Sequence, residues 1–162
     1  MNPRKQHLLS VVEIFASLVR TIQSRRSFHA VSPTPDLVMW CVIYGNLTDI
    51  AVLEWCKLFG SDTEQNQPVH SKNIVYDSEQ FPRDLFSTLG IYESKWRSYW
   101  NEMKRYRDQV IDHHDRRRVR IKNYLQFDLA LESAYLYYAF VRLDLLKYGI
   151  DQQSKDWRAY AG

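Results

Sequence analysis

The stretch LVMWCVIYGNLTDIAVLEWCKLF, residues 37–59, decides the fold class. Wound as a helix it is apolar on more than one face, so it reads as a central helix covered by others. SPTPD (residues 32–36) breaks the chain before it; Thr34 can cap and Pro35 can take the first helical position. Gly60 is well placed as its stop. A helix from about Pro35 to Phe59 with that pattern needs neighbours that each carry one apolar stripe.

The flanking sequence supplies them. From about Lys5 to Phe28, Leu8, Val11, Val12, Phe15, Leu18, Val19 and Ile22 fall on one helical stripe. The stretch GSDTEQNQPVHSKNIVYD (residues 60–77) is polar and lacks helical period, so it is expected as a surface loop, long enough to suspect function or mobility. A short helix from Phe81 to Leu89 follows, ended by Gly90. The next runs from about Tyr92, with Trp96, Tyr99 or Trp100, Met103, Tyr106 and Val110 as its stripe. The last covers roughly Phe127 to Tyr148 and stops at Gly149. Within it AYLYYAFV (residues 134–141) is apolar all round, which suits burial in the domain or a surface shared with a second subunit. No strand-like alternation or internal repeat recurs. The expected fold is all-α: one domain over residues 1–162, an antiparallel bundle of four long helices with an additional short one, and residues 150–162 as a C-terminal extension.

Composition agrees. The 162 residues fit one domain, are 45% hydrophobic and 14% aromatic, and include only five glycines and five prolines, which argues against a turn-rich β fold and against disorder. No apolar run approaches the roughly 18 residues that span a bilayer. MNPRKQHLLSVVEIF (residues 1–15) is interrupted by Glu13 and lacks a small-residue cleavage site, so it does not read as a signal peptide. Cys41 and Cys56 sit in apolar helical text and read as small core residues in a reducing cytosol. The expected location is cytoplasmic, with no membrane partner.

Charge is unevenly distributed. The formal net charge is +3, yet Lys95 to Lys122 holds ten basic residues against four acidic ones, leaving −3 for the rest. At the centre lies RYRDQVIDHHDRRR (residues 105–118). A concentrated basic surface suits a polyanionic partner, although a solvated helix end has the same charge content.

Several familiar chemistries have no signature here. There is no glycine-rich phosphate loop, paired cysteine set or His-Glu-x-x-His helix, and no cofactor is expected. His7, His29 and His70 are scattered and read as surface or satisfied histidines. His113, His114 and Asp115 make a poor chelate, because helical neighbours point about 100° apart, so no metal is expected.

Arg107 and His113 form a more productive combination. Arginine keeps its charge and presents a planar fork that fits phosphate oxygens. Histidine titrates near neutrality and can take up and return a proton. Together they suffice to cleave RNA without metal: the imidazole moves the proton of the ribose 2′-hydroxyl or the leaving 5′-oxygen, and the guanidinium stabilises the pentacoordinate phosphate. Asp108 can orient the arginine and Asp115 an imidazole. On a continuous helix His114, seven residues on, shares a face with Arg107, whereas His113 is rotated by about 120°. His113 regains the role if the helix unwinds near Asp112 or if a second subunit supplies the arginine.

The segment KRYRDQVIDHHD (residues 104–115) resembles the signature of the HEPN superfamily, the higher eukaryotes and prokaryotes nucleotide-binding domains: an arginine, a polar residue and, a few positions on, a histidine at a helix end. Arg107, Asp108 and His113 match it. Tyr106, the His113–His114–Asp115 run and the later LALESAYLYYAF (residues 129–140) are similar to the AbiU-type branch, associated with phage abortive infection. The likeness covers Trp96 to Phe140. The resemblance implies an HEPN-like helical domain acting as a metal-independent endoribonuclease and as a homodimer with a composite cleft, with a cognate antitoxin or regulator as a possible further partner. It makes Arg107 and His113 catalytic, supported by Asp108, His114 and Asp115. Arg116, Arg117, Arg118, Arg120 and Lys122 would hold the RNA backbone. The chain departs from the pattern at Asp112, where members often carry a small residue; a carboxylate there can pair with Arg107 or an imidazole, or repel RNA. Two other classes stay open: a non-cleaving HEPN-like module that binds RNA or a nucleotide, and a helical interaction partner whose last helix docks on another chain.

Overall fold

The computed structural model describes residues 2–31, 38–60, 68–75, 80–108 and 125–151, and every regular element among them is a helix. The first, α1 (Pro3–Val31), buries Leu8, Val11, Phe15, Leu18, Val19 and Ile22 of the stripe read from its spacing, with Val12 partly buried against them. The second, α2 (Val38–Phe59), runs back along it: Phe28 meets Trp40, Arg25 meets Thr48, and Ser17 meets Glu54, so numbers fall on one helix as they rise on the other.

Only the C-terminal half of α2 is central. Ala51, Val52, Trp55, Cys56, Leu58 and Phe59 are all buried, on one broad face of about 160° of the helix, with Lys57 exposed on the opposite side. Met39 and Val42 are 59% and 53% exposed, so part of the apolar excess of its first half faces outward, as does Ile50 just past its middle, at 41%. Cys56 is a buried free thiol.

The polar stretch after α2 is more ordered than its composition predicts. Residues 68–75 contain a single helical turn, α3 (Ser71–Ile74), started by His70, whose Nδ1 accepts from the Lys72 N–H at 3.2 Å. His70, Ser71 and Ile74 are buried, and the Val69 carbonyl accepts the Tyr137 hydroxyl at 2.8 Å. One turn is too short to leave a periodic pattern; tertiary contacts hold it. This part of the expected surface loop is therefore packed against the core, while residues 61–67 and 76–79 lie outside the described residues.

Two helices end by the same device. After α4 (Gln80–Leu89), Gly90 takes φ 59° and Ile91 N–H reaches back to the Phe86 carbonyl at 3.1 Å. After α6 (Asp128–Leu146), Gly149 takes φ 70° and Ile150 N–H reaches the Leu145 carbonyl at 3.2 Å. Both need the left-handed conformation that glycine adopts without a Cβ clash.

Packing centres on Trp55. Its ring meets Phe59 of α2, and Trp96 and Tyr99 of α5 (Glu93–Tyr106), at centroid distances of 5.4, 5.7 and 5.5 Å. The indole N–H donates to Ser133 Oγ of α6 at 3.2 Å, so a fully buried polar atom is satisfied. α6 runs antiparallel to α1, with Arg4 on Asp144, Phe15 on Tyr135 and Tyr138, and Arg26 on Asp128. Much of the all-round apolar segment packs inside this chain: Ala134, Tyr137, Tyr138 and Val141 are buried, and Phe140 meets Phe81 of α4 at 5.4 Å.

Burial pushes the Asp144 carboxyl up, but hydrogen bonds from Lys147 and Arg4 outweigh it and hold the group below its ordinary value. This cluster ties the first turn of α1 to the last turn of α6.

Candidate functional site at the junction of α2 and α5

Arg107 follows directly on α5 and keeps helical dihedrals, φ −54° and ψ −54°, with its backbone N–H shared between the Met103 and Lys104 carbonyls. It therefore projects from the same rod as Trp100, two turns earlier and on the same face. These two side chains receive the end of α2. Trp100 Nε1 donates to the Phe59 carbonyl at 2.7 Å, and Arg107 Nη1 donates to the Gly60 carbonyl at 3.2 Å. The last carbonyls of a helix have no partners within it, and its C-terminus favours a cation, so this contact satisfies both needs.

Gly60 is required by close approach. An ideal Cβ there would stand 2.8 Å from Cys56 Cα and 2.9 Å from its Sγ, while Gly60 N–H bonds the Cys56 carbonyl at 2.8 Å. A larger residue would have to move the carbonyl that Arg107 holds.

The other edge of the guanidinium faces Asp108. Arg107 Nε and Nη2 lie 2.8 and 2.7 Å from Asp108 Oδ1, with the two side chains 22% and 42% exposed. Tyr106 reaches in another direction and donates to Asp49 Oδ1 at 2.9 Å. Neighbouring residues thus grip α2 at Asp49 and at Gly60, points ~16 Å apart along the helix axis. Lys104 Nζ lies 4.7 Å from the Trp100 ring centroid, adding a second cation beside Arg107's turn.

Both described edges of the basic segment are anchored in the core. On the far side Leu125 and Phe127 are buried, and the Gln126 carbonyl accepts the Tyr99 hydroxyl at 3.0 Å. Burial first, then the nearby Glu102 carboxylate, push the Tyr99 phenol well above its ordinary value, so it remains a donor. Phe127 also packs on the buried Arg25 guanidinium, 4.9 Å from its ring centroid, with Tyr44 at 4.4 Å on the same cation.

Of the residues singled out from the sequence, Arg107 and Asp108 are brought together. His113, His114 and Asp115 lie outside the described residues, as do Asp112, Arg116, Arg117, Arg118, Arg120 and Lys122. Among the described residues no three His, Cys, Asp or Glu side chains converge as a metal site would require. His70 is buried, with its Nδ1 accepting from the Lys72 N–H. Sequence reasoning passed over Gly60 as a mere helix stop, and assigned no role to Asp49. A pocket of about 280 Å³ lies elsewhere, lined by Arg4, Phe81, Phe140, Leu143, Asp144 and Lys147 among others. No helix among the described residues is long and apolar enough to cross a membrane.

Chemically, the junction offers an oriented, half-buried guanidinium whose fork is engaged by one carboxylate oxygen. An incoming phosphate would replace that carboxylate with a ligand of like charge and similar geometry. Compared with family models, curated proteins and solved structures, the chain matches none.

Proposed function

We propose that this chain is a metal-independent endoribonuclease of the HEPN type, cleaving RNA by attack of the ribose 2′-hydroxyl on the adjacent phosphate. The observation that carries the reading is the Arg107 guanidinium, oriented by Asp108 and the Gly60 carbonyl at the start of the segment richest in arginine and histidine. In this reading Arg107 stabilises charge on the phosphate and His113 moves the proton. Asp108, His114 and Asp115 support them, and the basic run from Arg116 to Lys122 grips the RNA backbone. A homodimer with a composite cleft, working in phage defence or a toxin–antitoxin-like system, follows from the sequence resemblance alone, and a cytoplasmic location from the cysteines and N-terminal sequence.

The test is cleavage of single-stranded RNA in EDTA by the wild type, Arg107→Ala and His113→Ala. Cleavage by the wild type, lost in both variants, with products ending in 2′,3′-cyclic phosphate, is the expected result. Equal activity in all three, or none in the wild type, refutes the reading.

One contact favours a second reading. The guanidinium is already engaged by Asp108 and by a helix end, which is how a purely structural arginine is also held. The same face would then bind RNA without cleaving it, and steeply salt-dependent binding without cleavage selects that outcome.

A further inference from the structure

We infer that Gly60 and Trp100 are positioning residues for Arg107, so that the C-terminal end of α2 sets where the guanidinium stands. The inference rests on the ribonuclease reading above and extends it to a part of the chain 47 residues before the arginine. Three observations combine. The Gly60 carbonyl accepts from Arg107 Nη1, which orients the fork through the nitrogen not used by Asp108. The Phe59 carbonyl accepts from Trp100 Nε1, which pins the last turn of α2 to α5, the helix that carries Arg107. At Gly60 the Cys56 backbone and side chain leave no room for a Cβ, so any larger residue must shift the chain that carries this carbonyl.

The physical consequence is a rigid triangle. α5 holds the end of α2 through Trp100, the end of α2 holds the guanidinium through Gly60, and the guanidinium is carried by the residue directly after α5. A site of this kind is precise because its supports are helices rather than loops. Disturbing the carbonyl moves the fork without removing it, and a misplacement of ~1 Å can cost about 100-fold in rate.

Gly60→Ala forces the carbonyl away from Cys56, and Trp100→Phe removes the indole N–H and part of the ring area while keeping an aromatic ring in place. Each is assayed for RNA cleavage alone and in the Arg107→Ala background, with urea unfolding on the same samples. Gly60→Ala is expected to lower kcat by about 10–100-fold with KM within about twofold, since backbone grip and phosphate positioning are separate functions. Trp100→Phe is expected to act in the same direction by about 3–10-fold, and neither variant to lower the residual rate of Arg107→Ala by more than about twofold. A fold-wide loss of stability would instead lower activity equally in both backgrounds. An independent readout is the Arg107 Nε–H nuclear magnetic resonance signal, assigned by its loss in Arg107→Lys and expected to shift in both positioning variants. If wild type does not cleave RNA, the ribonuclease reading fails, and that signal alone decides whether α2 holds the guanidinium. Wild-type kcat in both variants while Arg107→Ala is inactive, or an unmoved Arg107 signal in both, overturns the inference.

Discussion

Arg107→Ala separates a helix cap from a catalytic group, because the two roles differ in magnitude. The variant loses a charge-assisted bond of 3.2 Å to the Gly60 carbonyl. At that length and with the side chain 22% exposed, the bond contributes ~1 kcal/mol. Removing the cation beside the end of α2 costs a further ~0.5 kcal/mol. The pairing with Asp108, a sequence neighbour whose side chain is 42% exposed, is screened by solvent and adds at most ~0.5 kcal/mol. A total of about 1.5–2 kcal/mol lowers the unfolding midpoint by roughly 3–8 °C. From a starting stability of even ~5 kcal/mol, the unfolded fraction at 25 °C stays below about 1%. A cap therefore predicts nearly unchanged cleavage at that temperature, whereas loss of a group that stabilises the pentacoordinate phosphate predicts a fall of about 100- to 1,000-fold. Initial rates on a fluorogenic single-stranded RNA in EDTA at 25 °C, beside a thermal melt, measure both. A melt shifted by several degrees with the rate unchanged would refute the catalytic assignment and leave Arg107 as a cap. Arg107→Lys sharpens the comparison: it keeps a cation at the helix end but loses the fork, so stability recovers while cleavage stays at least ~10-fold down.

Three further outcomes follow from the core. Asp144→Asn leaves Arg4 and Lys147 facing each other without their shared anion, which costs ~2–3 kcal/mol in urea unfolding at pH 7; a shift under about 0.5 kcal/mol would contradict it. Because Asp144 is held below its ordinary value, its contribution is complete above the unfolded carboxylate value of ~3.9 and is lost as pH falls through the lower folded value, so the gap between wild type and variant should close in acid. Trp55→Phe and Ser133→Ala should be coupled by ~1 kcal/mol through the 3.2 Å indole bond, and strict additivity in the double variant would argue against that bond. Burial raises Tyr137 above its ordinary value, so the stability it contributes is present below pH ~10 and falls above it, by about 1.4 kcal/mol per pH unit. Tyr137→Phe should flatten that alkaline slope, and an unchanged slope would count against a buried phenol as its source.

The long helices were legible because each carries its own signal. The α1 stripe from Leu8 to Ile22 repeats often enough to survive as a pattern, and Gly90 and Gly149 mark helix ends that need φ near 60–70°. α3 was illegible because four residues hold no period; it is started by a local His70 cap and held by the long-range bond from the Tyr137 hydroxyl to the Val69 carbonyl. α2 misled in part, since Met39 and Val42 look like core on paper but face outward. Apolar character reports what a residue can do, not which neighbours the topology sends to it. At the site, Arg107 and Asp108 stood out by type and adjacency. The part played by Gly60 did not, because a glycine after an apolar helix reads as a stop whether or not its carbonyl is used.

The closure of α1 by α6 also sets a timetable for synthesis. Phe15 stacks on Tyr138 at a centroid distance of 4.4 Å, and Arg4 bonds Asp144 across 140 positions of sequence. At ~5–20 residues per second, roughly 6–25 s pass between the emergence of the end of α1 and that of the end of α6. Throughout that interval the α6-facing side of α1 has no partner, although α2 can already pair with it. A ribosome stalled before residue 128 would hold a nascent chain with this side of α1 uncovered, open to chaperones and proteases. Arg107 leaves the ribosome before the helix that completes the core, so a finished fold, and any activity that depends on it, waits for the last helix to be made.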